Sequence, residues 1–381
     1  MRRHARPGCQ GAQPVKDFNS YLQLMARQKA SDCFFSAGAP VSIKIEGNTV
    51  HLGDIPLSGA QVAEMARSVM SEAQQHEYQN TLEMNLAYTL ADGERFRINV
   101  YRQRGEVAIA VRHIRADIPG IEELNLPAQL KDLIMLPRGL ILVVGSSGSG
   151  KSTALASMID YRNRTHTGHI LTIEEPIEYL HTHRKSIVDQ REIGIDTLSY
   201  ENALKNAMRE APDVILIGEI RDRETMQQAI AYAETGHLCL STLHANNANQ
   251  AIDRVINFFP DSARHQVLMD LSLNLQAVIS MRLIQGLDGK RLPAVELMLR
   301  STHIAELIAN GEVDMLKEAM KQGLELGMLT FDESLFRLHS AGLISLDQAL
   351  EHADSRTDLA LRIRLNQPAD SDGGLRMEEL S

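Results

Sequence analysis

Residues 139–153 read GLILVVGSSGSGKST, an apolar run followed directly by a loop of small residues. Its apolar first part is typical of a buried strand, and its second part is a loop of small residues that ends at Lys151 and Ser152. The pattern G-x-x-x-x-G-K-[ST] between a strand and a helix is a phosphate-binding loop, because glycines let backbone amides approach a phosphate and the helix N-terminus is partly positive. The stretch therefore predicts an α/β domain that binds a nucleoside triphosphate.

The loop gives an expected role to each of its residues. Lys151 is expected to reach the β- and γ-phosphates, and the Ser152 hydroxyl is expected to bind Mg²⁺. The N/T-K-x-D motif with which GTPases recognise guanine does not occur in the sequence, which favours ATP. The predicted nucleotide-binding residues of the loop are Gly145, Ser146, Ser147, Gly148, Ser149, Gly150, Lys151, Ser152 and Thr153.

Two other segments, ILIGEIRD and TIEEPIEYLH, place carboxylates directly after apolar strands. Sites in open α/β sheets collect at the carboxyl ends of the strands, and ATP hydrolysis needs a metal ligand and a group that positions water. We predict Glu219 as the catalytic carboxylate, with Glu175 and Glu178 assisting it. Ser152, Glu174 and Glu175 are the predicted Mg²⁺ ligands, directly or through water.

The segment GHLCLSTLHANNA carries a histidine on each side of an apolar strand. A histidine at a strand end can hydrogen-bond a γ-phosphate or transmit its presence to a neighbouring group. We therefore expect His244 to take part in catalysis and His237 to contact the nucleotide. Zinc is not expected, because Cys239 lies inside the strand and the sequence has no C-x-x-C motif.

Composition limits the class of protein. The net charge of −10 argues against wholesale binding of duplex nucleic acid, which relies on basic surface. The three cysteines are scattered, which indicates a reducing compartment. The N-terminus lacks the apolar core of a signal peptide, and no apolar run is long enough to span a membrane. We expect a cytoplasmic protein that is peripheral to a membrane complex.

The hydrophobic pattern changes along the chain. The first part predicts a mixed α+β domain, with Ser58 and Gln61 as a capping box and three antiparallel strands that end near Arg115. Farther on, apolar strands alternate with helices, which predicts a parallel sheet covered on both faces. The predicted divisions are a disordered tail at 1–16, an α+β domain at 17–115, a linker at 116–127, an ATPase domain with C-terminal helices at 128–352, and a polar, partly disordered tail at 353–381.

The chain resembles the type II/IV secretion ATPases in four segments: GSSGSGKST matches their Walker A loop, TIEEPIEYLH their Asp box, ILIGEIRD their Walker B strand and GHLCLSTLHANNA their His box. Within that superfamily, the chain is similar to the type IV pilus retraction ATPases of the PilT/PilU family. The similar segments are AGAPVSIKIEGN, RFRINVYRQRG, NALKNAMREAPDVILIGEIRDRETM and GMLTFDESL. The similarity spans about residues 17–350. The chain resembles the PilU branch more closely than the PilT branch in three places. These are the segments ETGHLCLSTLHANNANQAIDRVINFFP and MDLSLNLQAVIS and the long C-terminal tail.

This resemblance implies a PAS-like N-terminal domain, a RecA-like ATPase domain, and a homohexameric ring that binds ATP and Mg²⁺ between the domains. It implies an inner-membrane platform protein and a PilT-type paralogue as partners, at the cytoplasmic face of the membrane. It also implies that arginines of the N-terminal domain approach the phosphates. A guanidinium there stabilises the negative charge of the phosphates far more than it stabilises the protein on a solvent-exposed face. The N-terminal candidates by position are Arg97, Arg104 and Arg112, followed by Arg95 and Arg102. Arg209 and Arg221, which lie in the ATPase domain, are further candidates.

Three positions depart from the patterns. Glu175 stands where the family usually has aspartate, which changes the reach of a metal ligand. Leu329 follows Gly327 and Met328 in a motif that is often more polar. Gly218 stands where many P-loop enzymes carry an aspartate before the glutamate.

Two functions remain open from the sequence. One is a hexameric ATPase motor that retracts pili and so drives twitching motility. The other is an accessory ring that strengthens a PilT-type motor and hydrolyses ATP only weakly itself. A RecA-like helicase acting on DNA is disfavoured by the acidic balance of the chain.

Overall fold

The computed structural model describes residues 17–45, 47–114 and 117–366. The chain divides into two compact units, one up to Asp117 with the segment Glu178–Leu180, and one of Ile118–Ile177 and the chain from His181 onward. The disordered tail predicted at 1–16 and the last part of the polar tail, 367–381, lie outside the described residues.

The described residues of the first unit form an antiparallel sheet of six strands, in the order β3-β2-β1-β6-β5-β4, with three helices. Its elements are α1 (Phe18–Arg27), β1 (Asp32–Ser36), β2 (Ser42–Ile45), β3 (Asn48–His51), α2 (Gly59–Val69), α3 (Glu72–Thr81), β4 (Glu83–Thr89), β5 (Arg95–Gln103) and β6 (Glu106–Ile114). Alternate residues of β5, such as Phe96 and Ile98, are buried on one face of the sheet, where they belong to the same core as Leu22 of α1. The three antiparallel strands predicted here are confirmed.

Helix starts in this unit follow capping chemistry. The predicted capping box is confirmed, because Gln61 Oε1 accepts from the Ser58 amide and Ser58 Oγ accepts from the Gln61 amide. A second capping box, Ser71 with Gln74, opens α3, which the sequence analysis missed. That helix has a weak apolar pattern, since Tyr78 is its one buried residue.

The second unit is a sheet of seven strands, in the order β13-β12-β7-β11-β10-β8-β9. All its neighbouring strands are parallel except β13, which runs antiparallel to β12. The strands are β7 (Gly139–Val144), β8 (Gly168–Glu174), β9 (Ser186–Glu192), β10 (Val214–Ile217), β11 (Leu238–Leu243), β12 (Leu275–Gln285) and β13 (Arg291–Leu299). The helices are α4 (Gln129–Ile134), α5 (Lys151–Thr165), α6 (Tyr200–Ala207), α7 (Arg223–Glu234), α8 (Ala248–Asn257), α9 (Asp261–Asn274), α10 (Thr302–Asn310), α11 (Leu316–Gln322), α12 (Phe331–Ser340), α13 (Leu346–Glu351) and α14 (Arg356–Leu365).

Helices cover both faces of this sheet, as the apolar strands predict. Leu140 and Leu142 of β7 pack into one core, together with Met226 of α7. Ile141 of the same strand packs into the opposite core, together with Ile159 of α5. Successive side chains of β7 therefore enter different layers, which is why the strand is apolar throughout.

Two segments differ from the predicted divisions. Ile121 and Leu126, within the predicted linker 116–127, are buried in a core of the second unit. The prediction of a polar tail from 353 is wrong for α14, because Leu359 and Ile363 pack into a small core. These two side chains, four residues apart, form a narrow apolar stripe among charged neighbours, and the overall polarity of the segment masks it. Every helix in the described ranges is too short or too polar to cross a bilayer.

Candidate active site

The glycine loop lies between β7 and α5, and its shape depends on glycine. Gly145, Gly148 and Gly150 have φ values of +153°, +74° and +95°. A Cβ on Gly145 would lie 2.4 Å from Ser149 Oγ and 2.6 Å from the carbonyl oxygen of Met281. A side chain at position 145 is therefore excluded by the neighbouring backbone of β12.

The chemistry of the loop fits a phosphate group. Lys151 Nζ donates to the carbonyl oxygens of Gly145 and Ser146, at 2.9 and 2.8 Å, so its ammonium lies over the loop. No side chain of the described chain caps the N-terminus of α5. Ser149 Oγ is buried and has no hydrogen-bond partner among the described residues. A helix start without a cap, an ammonium and an unsatisfied hydroxyl together form a place for an anion.

The register of the parallel strands brings the other predicted groups to the same edge. Val144, which precedes the loop, pairs with Leu243, which precedes His244. Ile217, at the end of β10, pairs with Ile173 of β8. Because the carboxyl ends of parallel strands share one edge, the loop, the glutamates after β8 and β10, and the histidine after β11 face the same side.

Glu219 is the centre of a hydrogen-bonded cluster. Its Oε1 lies 3.1 Å from His244 Nε2, and its Oε2 accepts from Arg221 Nε at 2.9 Å. The guanidinium of Arg221 also donates to Glu175 Oε2 at 3.1 Å. The hydrogen bond to Glu219 raises the pKa of Arg221, so the guanidinium keeps its charge while it bridges two carboxylates. The side chain of Glu219 is 18% exposed, so this carboxylate is partly shielded from solvent.

Backbone hydrogen bonds on both sides hold the peptide of Glu219. The Gly218 amide donates to the Ile173 carbonyl oxygen at 2.7 Å, and the Ile220 amide donates to the Thr242 carbonyl oxygen at 3.0 Å. Thr242 Oγ1 also donates to the Gly218 carbonyl oxygen at 2.6 Å. The residue that carries the carboxylate is thus fixed between β8 and β11.

Two polar side chains hold the carboxylate of Glu174, one of the predicted Mg²⁺ ligands. Its Oε1 accepts from Thr172 Oγ1 at 2.6 Å and from Gln190 Nε2 at 3.2 Å. The described residues contain no group of three or more acidic, histidine or cysteine side chains arranged to hold a metal by themselves. Mg²⁺ usually keeps several waters and takes one or two carboxylates with substrate phosphates. The oxygen donors of Ser152, Glu174 and Glu175 fit that requirement.

The structure corrects the placement of His237. This residue precedes β11, and its carbonyl oxygen accepts from the Gly139 amide at the start of β7. His237 therefore lies at the amino edge of the sheet, opposite the glycine loop. Its Nδ1 lies 3.2 Å from Thr235 Oγ1, a local contact at the end of α7. Since it precedes a parallel strand, the sequence already held the signal for this position.

Several predicted groups belong to the first unit. Arg97 and Arg112 face each other across β5 and β6, and Arg112 Nε donates to Asp32 Oδ1 at 3.0 Å. Arg104 occupies the turn between these strands with a φ of +52°. Glu178 also groups with the first unit. The contact of these residues with a nucleotide stays a prediction.

The polar residues that support the acidic groups are not among the site residues predicted from the sequence. Thr172 was detectable, because it is a polar residue inside an apolar strand. Gln190 of β9 and Tyr200 of α6 lie far from the motifs in sequence, and only the fold brings them near the site. Arg209, a further arginine candidate, contacts Asn206 on the surface at 3.4 Å.

Comparison with known proteins assigns the family. The family model for type II/IV secretion system proteins matches residues 19–291. The chain is 49% identical to the type IV pilus ATPase PilU of Pseudomonas aeruginosa, over 93% of this chain and 94% of that one. It is 41% identical to the pilus retraction ATPase PilT of the same organism, over 88% and 98%.

Solved structures agree with this assignment. The crystal structure of the pilus retraction motor PilT with bound ADP has a TM-score of 0.84 and 40% identity, and the match covers 91% of this chain and 100% of that one. The ATPase DotB of Legionella pneumophila, at 22% identity, shares the fold with a TM-score of 0.74, over 89% and 96%. The predicted fold class, a RecA-like P-loop ATPase domain after a smaller α+β PAS-like domain, is confirmed. The chain belongs to the type II/IV secretion system protein family, in the group that contains the type IV pilus ATPases PilU and PilT.

Proposed function

We propose that this chain is an ATP-hydrolysing motor of the type IV pilus machinery that drives or assists pilus retraction and twitching motility. One observation carries the hydrolytic part of this proposal. Glu219, hydrogen-bonded to Arg221 and beside His244, follows β10 at the sheet edge that also carries the glycine loop. The pilus part rests on the similarity to PilU and PilT.

The residues of this chain have separate tasks in the proposed reaction. Bound ATP with Mg²⁺ supplies the transferable phosphoryl group and part of the charge compensation. The amides of the loop and Lys151 hold the phosphates, while Ser152 and Glu174 offer oxygens to the metal or its waters. Glu219 orients the attacking water and accepts its proton, and His244 keeps one carboxylate oxygen in place.

Two substitutions test this function. Lys151→Ala removes the ammonium over the loop, and we expect both ATP binding and hydrolysis to be lost. Glu219→Ala removes the water-activating carboxylate and leaves the loop and Lys151 in place, so hydrolysis is lost while ATP binding remains. Phosphate release and binding of a fluorescent ATP analogue measure the two properties separately. Normal turnover of the Glu219→Ala protein would exclude this residue from the reaction.

An accessory role is the second candidate function. The observation that favours it is the higher identity to PilU than to PilT, 49% against 41%, because the description of PilT names pilus retraction and that of PilU does not. In this role the ring strengthens a PilT-type paralogue and contributes little hydrolysis. Complementation separates the two roles, when the Lys151→Ala protein is supplied to a deletion strain with an intact paralogue. Restored retraction would favour the accessory role, and no retraction would favour the motor.

The assembly and location are part of this proposal. We expect a homohexamer at the cytoplasmic face of the inner membrane, with a platform protein as its partner and no nucleic acid. Arg97, Arg104 and Arg112 are the candidates for stabilising phosphate charge from the first unit. Sedimentation velocity with and without ATP tests the hexamer, and the ATPase rate of each Arg→Ala variant ranks the arginines.

A further inference from the structure

Gly218, directly before Glu219, leaves a space that another side chain fills. A Cβ on Gly218 would lie 2.9 Å from Tyr200 Oη. It would also lie 3.2 Å from Glu174 Cα and 3.2 Å from the Ile173 carbonyl oxygen. The phenolic oxygen of Tyr200 therefore stands where a side chain on residue 218 would begin.

Tyr200 is held firmly in this position. It is the first residue of α6, and the preceding Ser199 caps the helix by accepting from the Asn202 amide. The ring of Tyr200 packs against the core that contains Ala203 and Leu204 of the same helix. The hydroxyl thus projects from a capped helix end rather than from a free loop.

The surroundings of the Tyr200 hydroxyl keep it protonated. Burial raises the pKa of Tyr200 above its usual range, and the charge of Glu175 raises it further. Glu174 and Glu219 act in the same direction, while Arg221 acts against them. A protonated phenol is neutral, so it adds no negative charge beside the acidic groups.

We propose that Tyr200 is a positioning residue of the hydrolytic site, an inference that rests on the proposed ATPase function. The Tyr200 hydroxyl occupies the space that Gly218 leaves open and packs against the backbone that precedes Glu219. This packing orients Glu219 toward the attacking water. A glycine at 218 and a tyrosine at 200 therefore form one functional unit.

The first test removes the hydroxyl and keeps the ring. In Tyr200→Phe we expect kcat for ATP hydrolysis to fall about tenfold, the lower end of what supporting groups around a metal site contribute. KM for ATP should stay within about twofold, because the loop that holds the phosphates is unchanged. A kcat equal to that of the unmodified protein would overturn the proposal.

Tyr232→Phe is the matched control. The Tyr232 hydroxyl donates to the Leu204 carbonyl oxygen, so it supports the same helix from the core side. This variant should lower Tm and leave kcat unchanged. Loss of kcat in Tyr232→Phe equal to that in Tyr200→Phe would mean that packing of α6, and not the Tyr200 hydroxyl, controls the rate.

A second test is independent of hydrolysis. Gly218→Ala is made in the unmodified protein and in Tyr200→Phe, and Tm is measured without nucleotide. If the hydroxyl occupies the space, the added methyl group collides with it, so Gly218→Ala lowers Tm less in the Phe background. Equal losses in both backgrounds would refute the placement. This cycle keeps its meaning even if the unmodified protein hydrolyses no ATP, so the two proposals fail separately.

Discussion

Glu296 of β13 accepts a hydrogen bond from the Ala248 amide, at 2.8 Å, and so caps the helix that follows the His244 loop. The carboxylate is buried and also accepts from Ser280 Oγ at 3.0 Å. Burial raises the pKa of Glu296 despite these two donors. The His244 loop is therefore anchored at one end by β11 and at the other by a buried carboxyl group from a different strand.

Loss of this carboxyl group should destabilise the protein. Glu296→Ala leaves the Ala248 amide and the Ser280 hydroxyl buried without their acceptor, which costs about 1–3 kcal/mol for each unsatisfied group. Glu296→Gln keeps a carbonyl acceptor and should cost less. Urea unfolding gives the free energies of unfolding, and equal values for both variants would contradict this role of the carboxyl oxygen.

The loss of stability caused by substituting a loop glycine should depend on the space around that glycine. Gly148→Ala meets nothing within 4 Å and carries only the strain of its positive φ, about 1–2 kcal/mol. Gly145→Ala adds an overlap with the Met281 carbonyl oxygen, so it should destabilise more and weaken nucleotide binding at least tenfold. Thermal unfolding and titration with a fluorescent nucleotide check both expectations. A smaller stability loss in Gly145→Ala would mean that β12 yields to the side chain.

The two histidines of the His box should behave differently. His244→Ala removes the partner of Glu219 Oε1, and we expect kcat to fall by about one or two orders of magnitude. His237→Ala lies at the opposite edge of the sheet, so it should lower Tm slightly and leave kcat unchanged. Steady-state kinetics of the two variants decides this, and a reduced kcat in His237→Ala would contradict the position of His237 away from the nucleotide site.

Low pH should destabilise the packing of the C-terminal helices, because it protonates Asp354. Burial alone would raise the pKa of Asp354, but Lys317 and Arg282, each 2.8 Å from the carboxylate, outweigh it and hold the pKa below its usual range. A carboxylate whose pKa is lower in the folded state than in the unfolded state stabilises the fold at pH values above its unfolded-state pKa. This stabilisation is lost as the pH falls through the folded-state pKa. Asp354→Asn lacks this contribution. The difference in unfolding free energy between the two proteins should be largest near neutral pH and shrink in acid, and a constant difference would contradict the linkage.

The sequence was sufficient for groups whose position follows from a strand end. The loop after β7, Glu219 after β10 and His244 after β11 needed only the rule that parallel strands share one carboxyl edge. Tyr200 could not be predicted, because its proximity to Gly218 depends on how α6 packs beside β8 and β10. The apolar stripe of α14 was hidden by charged neighbours, and its partners on α12 become visible only in the folded chain.

The bridge that Arg221 makes between Glu219 and Glu175 has a consequence for how the acidic edge is kept together. Neighbouring carboxylates repel one another, and in many enzymes a divalent cation from solution must offset that repulsion. Here the counter-ion is covalently part of the polypeptide, at a fixed stoichiometry of one guanidinium to two acids. The acidic edge therefore carries a counter-ion of its own.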